Sequence, residues 1–299
     1  MPRAREGMVR SGPESPRAPG TPGEHESRRR SGACMRCLAA IFVAAGVLAG
    51  QVQAETLDEQ VERLIDEGEL DKAEPLARRA VEESTQSNGP EHPQTADSLH
   101  NLASLLHDQG KHAEAERLYT RALAIREKVL GPEHPHTGTV LNNLAVLYVL
   151  LDRFAEAEPL YGRALAINEK ALGPEHQETA AVLANLARLY REQGRHAEAE
   201  PLGKRSLATY SNTVGPEHPH ARAVLYDLAS LYESMGNFAE AETLYERALA
   251  INEKVLGPEH IDTATVLNDL AWIHHKQGRR AEAESLGRRS LAVFEKELG

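Results

Sequence analysis

The chain has 299 residues, 41% of them hydrophobic and 26% charged, with a formal net charge of −11, one tryptophan and two cysteines. That apolar share supplies a core without disulfide staples. The excess of acid makes nucleic acid and anionic lipid poor partners and basic proteins or peptides better ones.

In chain order, residues 1–34 are rich in Arg, Pro, Gly and Ser, the composition of a disordered leader or of an overlong start that truly begins at Met8 or Met35. From Met35 to Ala54 the pattern changes. Arg36 opens it, an apolar run extends from Cys37 to Ala49, and Val52 and Ala54 place small residues before a cut. This is the pattern of a secretory signal, and the run is short for a membrane span, which needs about 20 residues. The expected location is the periplasm or beyond, with a membrane-anchored chain as the alternative if the signal stays uncut. Arg28-Arg29-Arg30 only brushes a twin-arginine signal, since Gly32 and Ala33 stand where aromatic and leucine residues would follow. Both cysteines, Cys34 and Cys37, precede the cut, and without a second pair their spacing reads as signal composition rather than as a metal or redox site. Eight of the 34 basic residues and four of the 45 acidic ones also precede it, so the remainder holds 26 basic and 41 acidic residues, a charge of −15.

From Gly89 onward the phrase Gly-Pro-Glu-His-Pro, or a close variant, recurs every 42 residues, at Gly89, Gly131, Gly173, Gly215 and Gly257. A fixed period of this length predicts stacked supersecondary units, a solenoid rather than a globule around one centre. Each period reads as two helices. In the clearest copy, Thr137 to Leu150 carries an apolar stripe through Val140, Leu141, Leu144, Ala145, Leu147 and Tyr148. A break at Leu151-Asp152-Arg153 follows, where the other copies have Gly68, Gly110, Gly194, Gly236 and Gly278. The second helix runs from Phe154 to Leu172, and Gly173-Pro174 stops it. Helix A segments near Thr56, Thr95, Thr137, Thr179, Arg222 and Thr263 give six repeats and twelve helices, with repeats at about 55–93, 94–135, 136–177, 178–219, 220–261 and 262–299.

These residues resemble the tetratricopeptide repeat. Its set pattern of large and small apolar positions is met by Leu141, Leu144, Ala145 and Tyr148 on helix A and by Ala157, Tyr161 and Ala164 on helix B. The usual period is about 34 residues; the longer helix B and the Leu-Asn-Asn-Leu-Ala phrasing are similar to the subclass found in kinesin light chains and many bacterial proteins. The resemblance implies an all-α, right-handed superhelical solenoid that binds protein or peptide. It also implies that helix A lines a concave groove, in which an asparagine before the Leu-Ala pair grips the ligand backbone. The matching positions are Asn101, Asn143 and Asn185, continuing as Asp227 and Asp269. Beside them stand Asn142 and Asn268, with Tyr226 and His100 at the same position of other repeats. One turn later come Ser104, Val146, Arg188, Ser230 and Trp272. The asparagines could equally bond a neighbouring helix and set the stacking, and Trp272 could be an anchor in the groove or a wedge against repeat five. Asp58, Glu59, Glu62 and Asp97 crowd the N-terminal inner face, which suits basic segments of a ligand.

No phosphate loop, nucleophile elbow or zinc-protease motif occurs, so neither an enzyme nor a cofactor or small-molecule substrate is expected. The five loop histidines, His92, His134, His176, His218 and His260, lie on successive loops and read as turn residues rather than as metal ligands. Repeats four and six replace the helix B tyrosine-alanine pair by Gly203 with Ser206 and Gly287 with Ser290, a paired change that suggests compensation within the stack. The last helix keeps Leu291, Val293, Phe294 and Leu298, which either pack back on Leu267, Leu270 and Ile273 or leave a face for self-association. The signal reading makes Glu55 the first residue of the natural product; an intact leader found by N-terminal sequencing would refute it.

Overall fold

The loop histidine of each repeat decides where the next helix begins. A computed structural model describes residues 56–298, which form twelve α-helices and no strand. The helices are α1 (Leu57–Asp66), α2 (Leu70–Asn88), α3 (Pro93–Asp108), α4 (His112–Val129), α5 (Pro135–Leu150), α6 (Phe154–Ala171), α7 (Gln177–Glu192), α8 (His196–Thr213), α9 (Pro219–Ser234), α10 (Phe238–Val255), α11 (Ile261–Lys276) and α12 (Arg280–Leu298). Odd numbers are A helices and even numbers are B helices. The leader and signal readings fall on residues 1–55, outside the described part.

His92, His134, His176, His218 and His260 are N-caps. Each Nδ1 accepts the backbone N–H two residues on, at 3.1–3.3 Å. The A helices therefore start at Pro93, Pro135, Gln177, Pro219 and Ile261, two or three residues earlier than the sequence suggested. A proline is tolerated there because the first helical amide has no partner to lose. A threonine closes four of the five loops: Thr95, Thr137, Thr179 and Thr263 donate their hydroxyls to the carbonyls of Gly89, Gly131, Gly173 and Gly257 at 2.8–3.0 Å, and the remaining loop has Ala221 there. At the A–B break the chain needs the left-handed conformation, and Asp152 adopts it with φ 57° where the other repeats use glycine.

Within each repeat, alanines with no exposed surface (Ala115, Ala157, Ala199, Ala241) let the two helices approach, and Tyr119, Tyr161 and Tyr245 fill the space between them. In repeat four the missing ring is replaced from the neighbour, since a Cβ built on Gly203 would lie 2.8 Å from Leu228 Cδ2. Ser206 and Ser290 are fully used: their buried hydroxyls donate to the carbonyls of Ala180 and Ala264 at 2.7 Å. Gly287, in the last repeat, has open space beside it. The last helix packs back only in part, because Val293 is buried whereas Leu291 is 55% exposed.

Repeats are stapled to one another along the B helices. Arg153 pairs with Glu116 and Arg195 with Glu158, both at 2.8 Å, and Arg279 pairs with Glu242. A second row joins Arg163 to Glu127, Arg205 to Glu169 and Arg289 to Glu253 at 2.6–2.7 Å. The loop glutamates Glu91, Glu133, Glu217 and Glu259 take Lys128, Lys170, Lys254 and Lys296. Each exposed pair contributes little alone, but the rows fix the register of every repeat against the next. The A helices of repeats one to four also touch their successors, whereas no two B helices approach as closely. The A helices therefore lie on the inner face of the curve.

Ser104 bonds the Tyr119 hydroxyl at 2.9 Å and Ser230 bonds Tyr245 at 3.0 Å. Repeat three has Val146 at this position, and the Tyr161 hydroxyl is buried without a partner. Supplying one is worth about 1 kcal/mol, so Val146→Ser is expected to raise Tm by roughly 2–4 °C in a domain of this size, as read by calorimetry; an unchanged or lower Tm contradicts the assignment.

Candidate functional site

On the inner face, the residue before each repeat's asparagine or aspartate faces that residue of the following repeat. Asp58 accepts from Asn101 at 3.5 Å and from Ser98 at 3.1 Å. His100 Nε2 bonds Asn143 at 3.3 Å, Asn185 donates to Asn142 at 3.0 Å, and Tyr226 donates to Asp269 at 2.6 Å. Each of these four rungs spans 43 residues, except the Ser98 bond at 40. Asn142 also donates to Asn143 at 3.1 Å. The asparagines thus spend much of their hydrogen-bonding capacity on the neighbouring A helix. Asn268, at the far end of the ladder, is exposed.

One rung is missing. Its first position, between repeats four and five, is Ala184, so Asp227 meets no polar side chain there. Arg191 reaches Asp227 at 3.4 Å, while Arg188 has no hydrogen-bond or ion-pair partner among the described residues. Burial pushes the Asp227 carboxyl above the usual range despite the opposing charges of Arg191 and Arg188. Burial likewise raises Asp269, against bonds from Tyr226 and Asn268.

Recesses in the groove adjoin this gap. A narrow cleft between α7 and α9 is lined by Ala184, Arg188, Gly203, Asp227 and Leu228. It adjoins a recess of about 460 Å³ that shares Arg188 and Asp227 and adds Arg222, Tyr226, Asn252 and Asp262. A shallower recess of about 670 Å³ is lined by Arg191, Tyr226, Glu233, Phe238, Trp272 and Lys276. Trp272 is 46% exposed, with the Lys276 ammonium 4.1 Å from its ring centre and His275 stacked at 6.1 Å. Glu233 of repeat five lines the same recess, so Trp272 combines a place beside the neighbouring repeat with an open aromatic face.

The structure therefore brings Arg188, Asp227, Tyr226 and Trp272 to one stretch of groove and leaves Asn101 and Asn143 in earlier repeats, with Asn185 one turn before Arg188 on α7. The sequence missed Arg222, which donates to Asn252 Oδ1 at 2.8 Å and keeps a buried Nε without a partner. A signal existed: the same position is Ala96, Gly138, Ala180 and Ala264 in other repeats. Lys276 and Glu233 carried no such mark. The N-terminal acids are also engaged, since Asp97 pairs with Arg126 at 2.7 Å and Glu59 with the Thr56 cap. Among the described residues, no three His, Cys, Asp or Glu side chains converge as a metal site would require.

The family model for the tetratricopeptide repeat matches residues 63–128, 96–170, 137–212, 193–254 and 220–296. Among solved structures, BtubC (BKLC) from P. vanneervenii superposes with a TM-score of 0.65 at 24% identity, over 77% of this chain and 92% of that one. A Podosopora anserina protein described as a kinesin light chain with nearly identical TPR-like repeats gives 0.56 at 31% identity, over 67% of this chain and 94% of that one. Pseudomonas aeruginosa pilF gives 0.55 at 20% identity, over 81% and 91%. No curated protein sequence matches.

Burial, then the charge of Arg126, pushes the His100 imidazole down to about 4. The unfolded chain thus takes up this proton first, near pH 6.5, so the stability that neutral His100 provides is complete above that pH and is lost as pH falls toward 4. His100→Asn, which keeps an amide acceptor for Asn143, is expected to flatten the fall of Tm between pH 6.5 and 4.5 relative to wild type. Parallel curves would show that the rung is not acid-sensitive.

Proposed function

Since the chain belongs to the tetratricopeptide repeat family, in its kinesin-light-chain-like form, we propose that it is a non-catalytic scaffold holding a protein or peptide segment in its concave groove. The fold is a surface for protein interaction in general; the finer reading here is that the ligand lies against repeats four to six. One observation carries it. Over the first repeats the inner-face polar groups are paired with one another, whereas Arg188, Tyr226, Trp272 and Lys276 line recesses open to a ligand. Basic ligand segments, suited to the overall charge, are less suited to this stretch.

We place this activity outside the cytoplasm, on the strength of the Met35–Ala54 signal pattern. Self-association is the second reading, favoured by the 55% exposure of Leu291 on the last helix; Leu291→Glu would then lower the mass seen by light scattering at high concentration. Trp272 is the only tryptophan, so its emission reports on the groove. A photo-crosslinking residue at Ser230 or Trp272 is expected to capture the same protein in the source cell, and one at Lys204 on a B helix is expected not to. Capture from Lys204 alone would move the ligand to the outer face.

A further inference from the structure

Resting on the groove reading, we propose that the ligand is recognised at the junction of repeats four and five by a side-chain carboxamide, an asparagine or glutamine of an extended peptide, that enters beside Ala184 and completes the missing rung. Its oxygen accepts from Arg188 and its NH2 donates to Asp227.

The chain itself supplies the pattern. One junction earlier the rung is carboxamide to carboxamide, Asn185 to Asn142 at 3.0 Å. One junction later an aspartate at the same position receives a neutral donor, the Tyr226 hydroxyl, at 2.6 Å. Asp227 lacks such a donor from repeat four because Ala184 ends at its methyl group. Arg188 stands in the same cleft with no acceptor among the described residues. A ligand for this position must therefore present a donor and an acceptor together. A carboxamide does so in one planar group.

Charged alternatives fit less well. A ligand carboxylate would satisfy Arg188 but meet the Asp227 charge, which is already under-compensated: its carboxyl is held high by burial. A ligand ammonium would suit Asp227 but meet Arg188 and Arg191. An aliphatic side chain would leave Arg188 without an acceptor and Asp227 with the 3.4 Å contact to Arg191 alone, a costly outcome for donors and acceptors drawn away from water. The cleft beside Ala184 has room for about one water, about 10 Å³, but Arg188 and Asp227 also line the adjoining recess of about 460 Å³, which gives the carboxamide and the peptide main chain their space.

The test uses three blocked pentapeptides, acetyl-Ala-Ala-X-Ala-Ala-amide with X as Gln, Glu or Leu, titrated into the chain while the Arg188 side-chain and Ala184 amide resonances are followed by NMR. The Gln peptide is expected to bind at least fivefold more tightly than the other two. Ala184→Asn fills the rung from within and is expected to reduce that binding at least tenfold. In a double-mutant cycle with Asp227→Ala, it should also show a favourable coupling worth roughly 2–4 °C of Tm. If the three peptides move the groove resonances equally, the groove reading stands and the carboxamide proposal fails. If none of them moves those resonances, both fail. Undiminished Gln binding in Ala184→Asn also overturns the proposal.

Discussion

Each repeat buries its apolar side only against its neighbours, so a residue and its counterpart 42 positions on are held at one fixed offset along the whole stack. That constraint turns sequence spacing into contact. The inner-face rungs recur at 43 residues and the outer ion pairs at 36 or 37. The loop sets the phase: a histidine Nδ1, joined in four of five loops by a threonine hydroxyl, fixes where the A helix begins, and a shift of one residue would rotate its inner face by about 100°. Every ladder described above depends on that start being the same in each repeat.

This constraint also explains how much was legible. Helix pairs, their number and their apolar faces follow from periodicity, which is local. The glycine at each A–B break, and Asp152 as its substitute, follow from backbone sterics. The partners of Asn143 or Asp227 do not, because they depend on how far one A helix is rotated against the next, and a single repeat carries no record of that. Once the 43-residue offset is known, the gap at Ala184 can be read from the sequence alone. Arg222 was legible too, as the one large residue at a position otherwise held by alanine or glycine. Trp272 is ambiguous in the sequence because its place beside Glu233 of the neighbouring repeat and its exposed face serve two purposes at once.

Net charge and the lining of the groove differ in sign. The acidic excess sits largely on the B helices and loops, where Glu74, Glu116, Glu158 and Glu242 each take a basic side chain from the following repeat. Those pairings hold Glu116 and Glu158 below the usual carboxylate range. The N-terminal inner acids are spent similarly, Asp58 on Ser98 and Asn101, Asp97 on Arg126. What remains open to a ligand is a stretch in which Arg188, Arg191, Arg222 and Lys276 stand among a few carboxylates. Long-range field favours a basic partner, while the short-range contacts of this stretch favour groups that accept hydrogen bonds.

Several departures from the repeat pattern fall at the same joint. Between repeats four and five the inner rung is lost at Ala184. The outer pair is lost at Asn237, where repeats two, three, four and six have lysine or arginine, and the second row is lost at Ser211, opposite Arg247. Gly203 removes the buried ring from the same repeat, and Leu228 crosses the joint to replace it. In a quasi-one-dimensional stack, stability is a sum of repeat and interface terms, so this joint holds the fewest polar staples while keeping its apolar contact. A ligand that bridges α7 and α9 here would bind only the stacked form and so stabilise the joint by mass action. Binding and the coupling between the two halves of the solenoid are then one equilibrium, and the joint with the fewest staples is where a partner has the greatest influence on the stack.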